Sequence, residues 1–399
     1  MQKKTVKDLN LKDKRVLVRV DFNVPLDDNG KITDDTRITS SLPTIEYILK
    51  QGGKLILMSH LGRPKGQVKE GERLTPVAKR LEELLKKPVK KLNDCIGQDV
   101  ESAVKNMKSG DVILLENLRF HKEEEKNDQE FAKKLASLGE VFVNDAFGTC
   151  HRAHASTEGV THYLESVSGF LVQKEIEYFE KILKSPEKPF VLILGGAKVS
   201  DKIPVIENML TKVNAVLIGG AMAYTFLKQK GIGIGSSRCE QDMMDTVKNI
   251  LESAKQKNVE IVLPIDHIVC DNFDQPKKIT KTQDVNIQAG FLGVDIGPQT
   301  IKLFSDKIKN AKTIVWNGPM GVFEKDEFAK GTKEIAQAVA STKATSVIGG
   351  GDTAAAVVLF KLDDRMSHIS TGGGASLEYM EGKVLPGIAA LADKESSTF

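Results

Sequence analysis

Short apolar runs, each followed at once by polar residues, recur along the whole chain with longer amphipathic stretches between them. In the first half they occupy 16–20, 55–58, 112–115 and 141–143; in the second, 191–194, 215–218, 261–263, 313–316 and 346–348. Continuous rather than alternating apolar runs of this length predict strands buried on both faces, and their alternation with helical patterns predicts parallel sheets. The fold class expected is α/β, with two doubly wound parallel-sheet domains. Between them Leu171, Ile176, Phe179, Ile182 and Leu183 stand at helical spacing, and Ser185-Pro186-Glu187-Lys188-Pro189 ends the pattern. This predicts a first domain over 1–170, a connecting helix over 171–186 and a second domain over 187–382.

The polar residues that close the runs differ between the halves. The early turns are Asp21-Phe22-Asn23, His60-Leu61-Gly62-Arg63, Asn117-Leu118-Arg119 and His151-Arg152. The later ones are Gly195-Gly196-Ala197-Lys198, Gly219-Gly220, Asn317-Gly318-Pro319 and Gly349-Gly350-Gly351-Asp352. Turns that follow parallel strands gather at the carboxyl edge of the sheet, where ligands bind. Guanidinium forks suit a small anion, and bare amides at a helix start suit a polyphosphate. An enzyme joining an anionic substrate to a nucleotide is the inference.

Composition narrows this little. A chain of 399 residues exceeds one ordinary core and argues for two domains. The 57 basic residues nearly balance 54 acidic ones, and aromatics make up 6%, which argues against a nucleic-acid surface. Cys95, Cys150, Cys239 and Cys270 lack CxxC spacing, so neither a disulfide framework nor a zinc knot is expected. Met1-Gln2-Lys3-Lys4 opens no apolar leader and no membrane-length run exists, so a soluble cytoplasmic protein with no membrane partner is expected.

Asp21 and Asn23 can bond hydroxyl or carboxylate groups, and Arg37, Arg63, Arg119 and Arg152 can hold phosphate or carboxylate. His151 and His154 suggest a metal pair only in isolation, since the arginines around them repel a cation. The mixed-sign run 122–126 reads as a solvated helix face. After the strand at 191–194, the sequence predicts a turn and then a helix carrying Lys198 and Lys202 on one face, with phosphate between them. Asp352 can cap the helix after Gly349-Gly350-Gly351 or bind magnesium, and Gly372-Gly373-Gly374 offers another anion nest. GxxxxGK[ST] is absent, and Gly231, Gly233 and Gly235 lack the spacing of a dinucleotide fingerprint, which excludes an ordinary P-loop protein and a nicotinamide-dependent dehydrogenase.

Arg19-Val20-Asp21-Phe22-Asn23-Val24-Pro25, Ser59-His60-Leu61-Gly62-Arg63-Pro64, His151-Arg152-Ala153-His154, Gly195-Gly196-Ala197-Lys198, 316–324, Gly349-Gly350-Gly351-Asp352 and 372–378 closely resemble, in order, the motifs of the phosphoglycerate kinase family. The resemblance spans essentially the whole chain. It implies Mg2+-dependent, reversible phosphoryl transfer in glycolysis between 1,3-bisphosphoglycerate and ADP, giving 3-phosphoglycerate and ATP, by a monomer whose hinged halves close to join their ligands. It assigns Asp21, Asn23, Arg37, His60, Arg63, Arg119 and Arg152 to phosphoglycerate binding. Arg37, Lys198 and Lys202 become catalytic. Lys202, Gly293, Asn317, Glu324, Gly350, Gly351, Asp352 and Thr353 become nucleotide-binding, with Asp352 on the metal and Gly372 and Gly373 stabilising phosphate. It also implies that 383–399 returns to the first domain. Two departures stand out: Tyr379-Met380, where an aliphatic pair is expected, and Cys150, where alanine is expected. Lying two residues before Arg152, Cys150 raises the expectation that thiol modification there disturbs substrate binding.

Overall fold

The computed structural model describes residues 2–394. Its contacts divide the chain into two units: one runs through Glu177 and takes in the segment from Val384 onward, the other covers Tyr178–Lys383.

The first unit is built on a six-stranded parallel sheet of β1 (Arg15–Arg19), β2 (Lys54–Met58), β3 (Lys90–Lys91), β4 (Val112–Leu114), β5 (Val141–Asn144) and β6 (Ser166–Ser168), ordered β3-β4-β2-β1-β5-β6. The apolar runs are continuous because both faces are covered. Val16, Val18, Leu55 and Leu57 point into one core, and Leu17, Ile56, Met58 and Phe142 into the other. The C-terminal segment packs on this unit: the Lys4 amide donates to Ala392 O and the Ala392 amide to Ser166 O, at 2.8 and 2.9 Å. Residues 395–399, included in the expected return, lie outside the described residues.

Helix Phe170–Lys184 crosses the division between the units. Its start is fixed by two side chains: Thr44 Oγ1 accepts from the Phe170 amide and Asp145 Oδ1 from the Leu171 amide, both at 2.9 Å. These satisfy donors that no preceding turn can meet. Pro186 bars continuation at the other end.

The second unit holds another six-stranded parallel sheet, of β7 (Phe190–Leu194), β8 (Ala215–Ile218), β9 (Glu260–Val262), β13 (Thr313–Asn317), β14 (Thr345–Gly349) and β15 (His368–Ile369), ordered β15-β14-β13-β7-β8-β9. Val191, Ile193, Leu217, Ile314, Trp316 and Ile348 fill one core, while Leu192, Val216, Val315 and Val347 are equally buried. A three-stranded antiparallel sheet, β10 (His267–Cys270), β11 (Ile279–Lys281) and β12 (Leu292–Ile296), adds to the expected pair of parallel sheets. Among the described residues, no helix is long and apolar enough to cross a membrane.

Candidate active site

In the first unit β1 lies between β2 and β5, with β4 beyond β2, so the turns after these strands emerge side by side. Arg37 reaches Asp21 from the helix Thr36–Lys50, Nη1 to Oδ2 at 2.6 Å. Asn23 Oδ1 accepts from the Gly62 amide at 2.8 Å, and Arg119 donates to Gly62 O at 3.1 Å, tying three turns together. Asn117 braces the same loop, donating to Leu61 O and Glu72 O at 2.7 and 2.8 Å. Arg63 and Arg152 are exposed beside these turns.

Beneath them lies a residue that sequence reasoning quoted but did not assign. Arg19, the last residue of β1, is fully buried. It donates from Nε to Ser156 Oγ (2.8 Å), from Nη1 to Val20 O, and from Nη2 to His60 Nδ1 (3.0 Å). Ser156 donates in turn to Glu124 Oε1 at 2.6 Å, and Glu124 is also fully buried. The solvated face expected over 122–126 is therefore corrected at Glu124. The signal available was an arginine inside an apolar strand, which must find an acceptor when buried.

A guanidinium only donates, so His60 Nδ1 must accept and the neutral ring carries its proton on Nε2. Burial, then the charges of Arg19 and Arg119, hold the His60 pKa well below its usual value. His154 is lowered to about 4, by burial and then by Arg119, Arg19 and Arg152. The electrostatic coupling joins Asp21, Arg37, His60, Arg119, Arg152 and His154 in one neighbourhood with excess positive charge. Cys150 is fully buried below it, its thiol pushed up to about 12 by burial, which removes the expectation of a modifiable thiol.

A wider cavity of about 920 Å³ in the same unit makes a poorer anion site. Its Arg80 is paired with Asp35 and Glu83, and its Arg73 with Glu70 and Glu116. Asp94, Cys95 and His121 form a compact set of possible metal ligands, but His121 Nε2 is engaged by Asp94 at 2.7 Å.

In the second unit the turns after β7, β8 and β13 interlock through backbone. The Gly196 amide donates to Pro319 O, the Gly220 amide to Met320 O, and the Met222 amide to Gly196 O, at 3.0–3.1 Å. A Cβ on Gly195 would stand 2.1 Å from Pro319 O, so only glycine permits this approach. Lys198 and Lys202 do not share a helix: the helix begins at Ile203, with Lys202 as its cap residue. Glu240 takes the Val199 and Ser200 amides (2.5 and 3.2 Å) and the Ser200 hydroxyl (2.5 Å), holding 199–200 as a turn. Lys198 is exposed, whereas Lys202 donates to Asn317 Oδ1 and has its pKa lowered, by burial first.

Helix Gly351–Leu359 follows β14, with Gly350 at φ +89° as its cap residue and no side chain capping it. Asp352 thus stands exposed in the first turn rather than capping the helix, and Thr353 is buried, accepting from the Gly318 amide at 2.7 Å. Gly373 at φ +50° opens the helix Gly374–Met380 in the same way. A cavity of about 250 Å³ lies among these turns, lined by Gly293, Glu324, Asp352, Gly196, Gly220 and Tyr224. Asn317 lies buried, close to Gly350. Tyr224 is a residue the motifs did not single out. The arrangement therefore offers fixed cations in one unit, and open amides with a lysine beside an apolar-walled cavity in the other.

Comparison with known proteins agrees with this chemistry. The family profile described as phosphoglycerate kinase matches residues 6–383. The phosphoglycerate kinase of Dictyoglomus turgidum is 58% identical over 399 residues, covering 99% of this chain and 100% of its own, and that of Clostridium tetani is 56% identical over 395, covering 98% of each. A solved phosphoglycerate kinase from Coxiella burnetii superposes with a TM-score of 0.89 at 43% identity, covering 97% of this chain and 98% of its own. One from Pyrococcus horikoshii gives 0.82 at 35%, covering 98% of each. With matches of this extent, the chain belongs to the phosphoglycerate kinase family.

Proposed function

We propose that the protein transfers a phosphoryl group reversibly between 1,3-bisphosphoglycerate and ADP, giving 3-phosphoglycerate and ATP. The observation that carries this reading is the excess positive charge gathered around the neutral His60. Such a cluster costs energy in the free protein and is relieved by an anion carrying both carboxylate and phosphate.

Arg63, Arg119 and Arg152 would hold the substrate's charged ends. The His60 Nε2–H would donate to it, and Asp21 and Asn23 would bond its hydroxyl. In the ATP-consuming direction a carboxylate oxygen of 3-phosphoglycerate attacks the γ-phosphorus as the bond to the ADP oxygen breaks, and no proton has to move. Catalysis is then the neutralisation of converging negative charge. Arg37 and Lys198 would meet the moving phosphoryl, while Lys202 and the amides around Gly350, Gly351, Gly372 and Gly373 would hold the phosphates. Gly293, Asn317, Glu324 and Thr353 would shape the nucleotide site.

Mg2+ fits here, because the exposed Asp352 carboxylate stands at an uncapped helix start on the cavity wall. Asp352 would hold the ion, which when bound supplies charge neutralisation between the nucleotide phosphates. Purified protein with ATP, Mg2+ and 3-phosphoglycerate, coupled to a reporter of the acyl phosphate, tests the reading. Turnover is expected, and no acyl phosphate under buffered conditions would overturn it.

A further inference from the structure

The loop after β3 and the turn after β4 bring Asp94, Cys95 and His121 together in the first unit, with one donor atom of each within 4.8 Å of the other two. Carboxylate, thiolate and imidazole are the donors that zinc-class ions take. Two of the three are held in place. Cys95 is fully buried, and His121 packs on Phe131 of the helix Gln129–Ala136 with ring centroids 5.3 Å apart. Asp94, with its side chain 53% exposed, has room to adjust. A tetrahedral zinc ion spaces its nitrogen, oxygen and sulfur donors about 3.3–3.6 Å apart. The Asp94–His121 contact of 2.7 Å must therefore open and the widest separation close, shifts that side-chain rotation supplies.

The bond that occupies His121 is no bar to a metal. It holds a proton between Asp94 Oδ1 and His121 Nε2, two atoms that would both face the ion, and the cation takes that proton's place while the thiol gives up its own. The surroundings favour positive charge. The hydrogen bond to Asp94 leads the influences that raise the His121 pKa, with Glu123 and Glu124 adding to it. Burial, then Asp94 and Glu124, push the Cys95 thiol well above its usual value, so it stays protonated until a metal displaces the proton. Lys91, whose field reaches Asp94, is held by Glu116 at 2.7 Å, and Lys122 is exposed. His154 is the contrast, since the arginines around it would repel a cation.

We propose that Asp94, Cys95 and His121 form a site for a zinc-class divalent transition-metal ion, with water from the exposed side as the fourth ligand. One oxygen donor beside nitrogen and sulfur disfavours Mg2+, so the site differs in chemistry from the one proposed at Asp352. A bound ion ties the loop after β3 to the turn that carries Asn117 and Arg119, and it stabilises the fold by mass action.

Co2+ serves as the probe, titrated into the purified full-length protein with excess Mg2+ and a reductant that is not a thiol. The expected result is one Co2+ per chain with a thiolate-to-cobalt charge-transfer band, which added Zn2+ abolishes. Cys95→Ser should remove the band, and Cys239→Ser should leave it. In competition with a chromophoric chelator, His121→Gln should lower Zn2+ affinity by about tenfold or more. No such band in the wild type, a band that survives Cys95→Ser, or undiminished Zn2+ affinity in His121→Gln would overturn the proposal. Should the buried Cys95 prove necessary for folding, His121→Gln, at a partly exposed position, decides alone.

Discussion

Asp145 follows β5, is fully buried, and has one oxygen, Oδ2, without a hydrogen bond. Its other oxygen accepts from the Leu171 amide at the start of the helix that crosses between the units. Burial outweighs the bonds that favour ionisation and raises its pKa to about 7 from the ordinary 3.8. Because the folded value lies above the unfolded one, the contribution of this group is complete below pH 3.8 and is lost as pH rises toward 7. Between pH 5 and 7 the loss amounts to about 3 kcal/mol, at about 1.4 kcal/mol per unit. Asp145→Asn keeps the acceptor for Leu171 and cannot ionise. It carries a pH-independent cost for its new amide donor, but the difference between variant and wild type should shift in the variant's favour by about 3 kcal/mol from pH 5 to pH 8. Urea unfolding followed by circular dichroism at the two pH values, with unchanged slope in denaturant, measures it. A variant destabilised equally at both values would show that the Asp145 carboxyl is not held neutral, and the reasoning would fail.

Arg37→Ala is expected to lower kcat by about 10²–10³, the usual effect of losing one preorganised donor, with the KM for nucleotide nearly intact; steady-state kinetics with unchanged kcat would take Arg37 out of the catalytic set. Gly195→Ala drives a methyl to 2.1 Å from Pro319 O and should cost about 1–3 kcal/mol or more, read as a thermal midpoint several degrees lower; an unchanged midpoint would mean that the turn relaxes freely. Native protein treated briefly with a maleimide at pH 7 should label Cys239, which is partly exposed, and spare Cys95, Cys150 and Cys270, which are buried; mass spectrometry finding Cys150 labelled as fast as Cys239 would contradict its burial.

Nine strands of the two parallel sheets were legible because burial on both faces leaves no room for polar residues, and the helix Phe170–Lys184 because its period and its proline stop coincide, whereas the short edge strands β6 and β15 carry no apolar run. The antiparallel sheet was not legible either. Ile279-Thr280-Lys281 is exposed throughout, and nothing apolar marks it; it is a strand because β10 pairs with it. The two-residue β3 is likewise defined by β4 alone. At the candidate site, strand-end turns identified the cations and glycines, but not the side chains that organise them from afar. Glu240 stops a helix from forming around Lys198 from a position some forty residues downstream. Glu124 is drawn into the interior by Ser156 and Arg19, partners no local charge pattern reveals.

Those distant partners show that the two units hold their candidate anion-binding groups in place differently. Side-chain cations are flexible and repel one another, so the first unit needs a buried scaffold to hold them. Arg19 supplies it, its charge met by Glu124 while its Nη2 fixes the His60 tautomer. Removing one member of such a buried set strands the others, and what the fully buried Arg19 holds directly is the His60 ring. Backbone amides need no such support, because the chain itself fixes their direction. In the second unit the work of positioning falls to glycines, at Gly195 by close approach and at Gly350 by positive φ. The rigidity that the first unit obtains from a buried ion network, the second obtains from the absence of side chains.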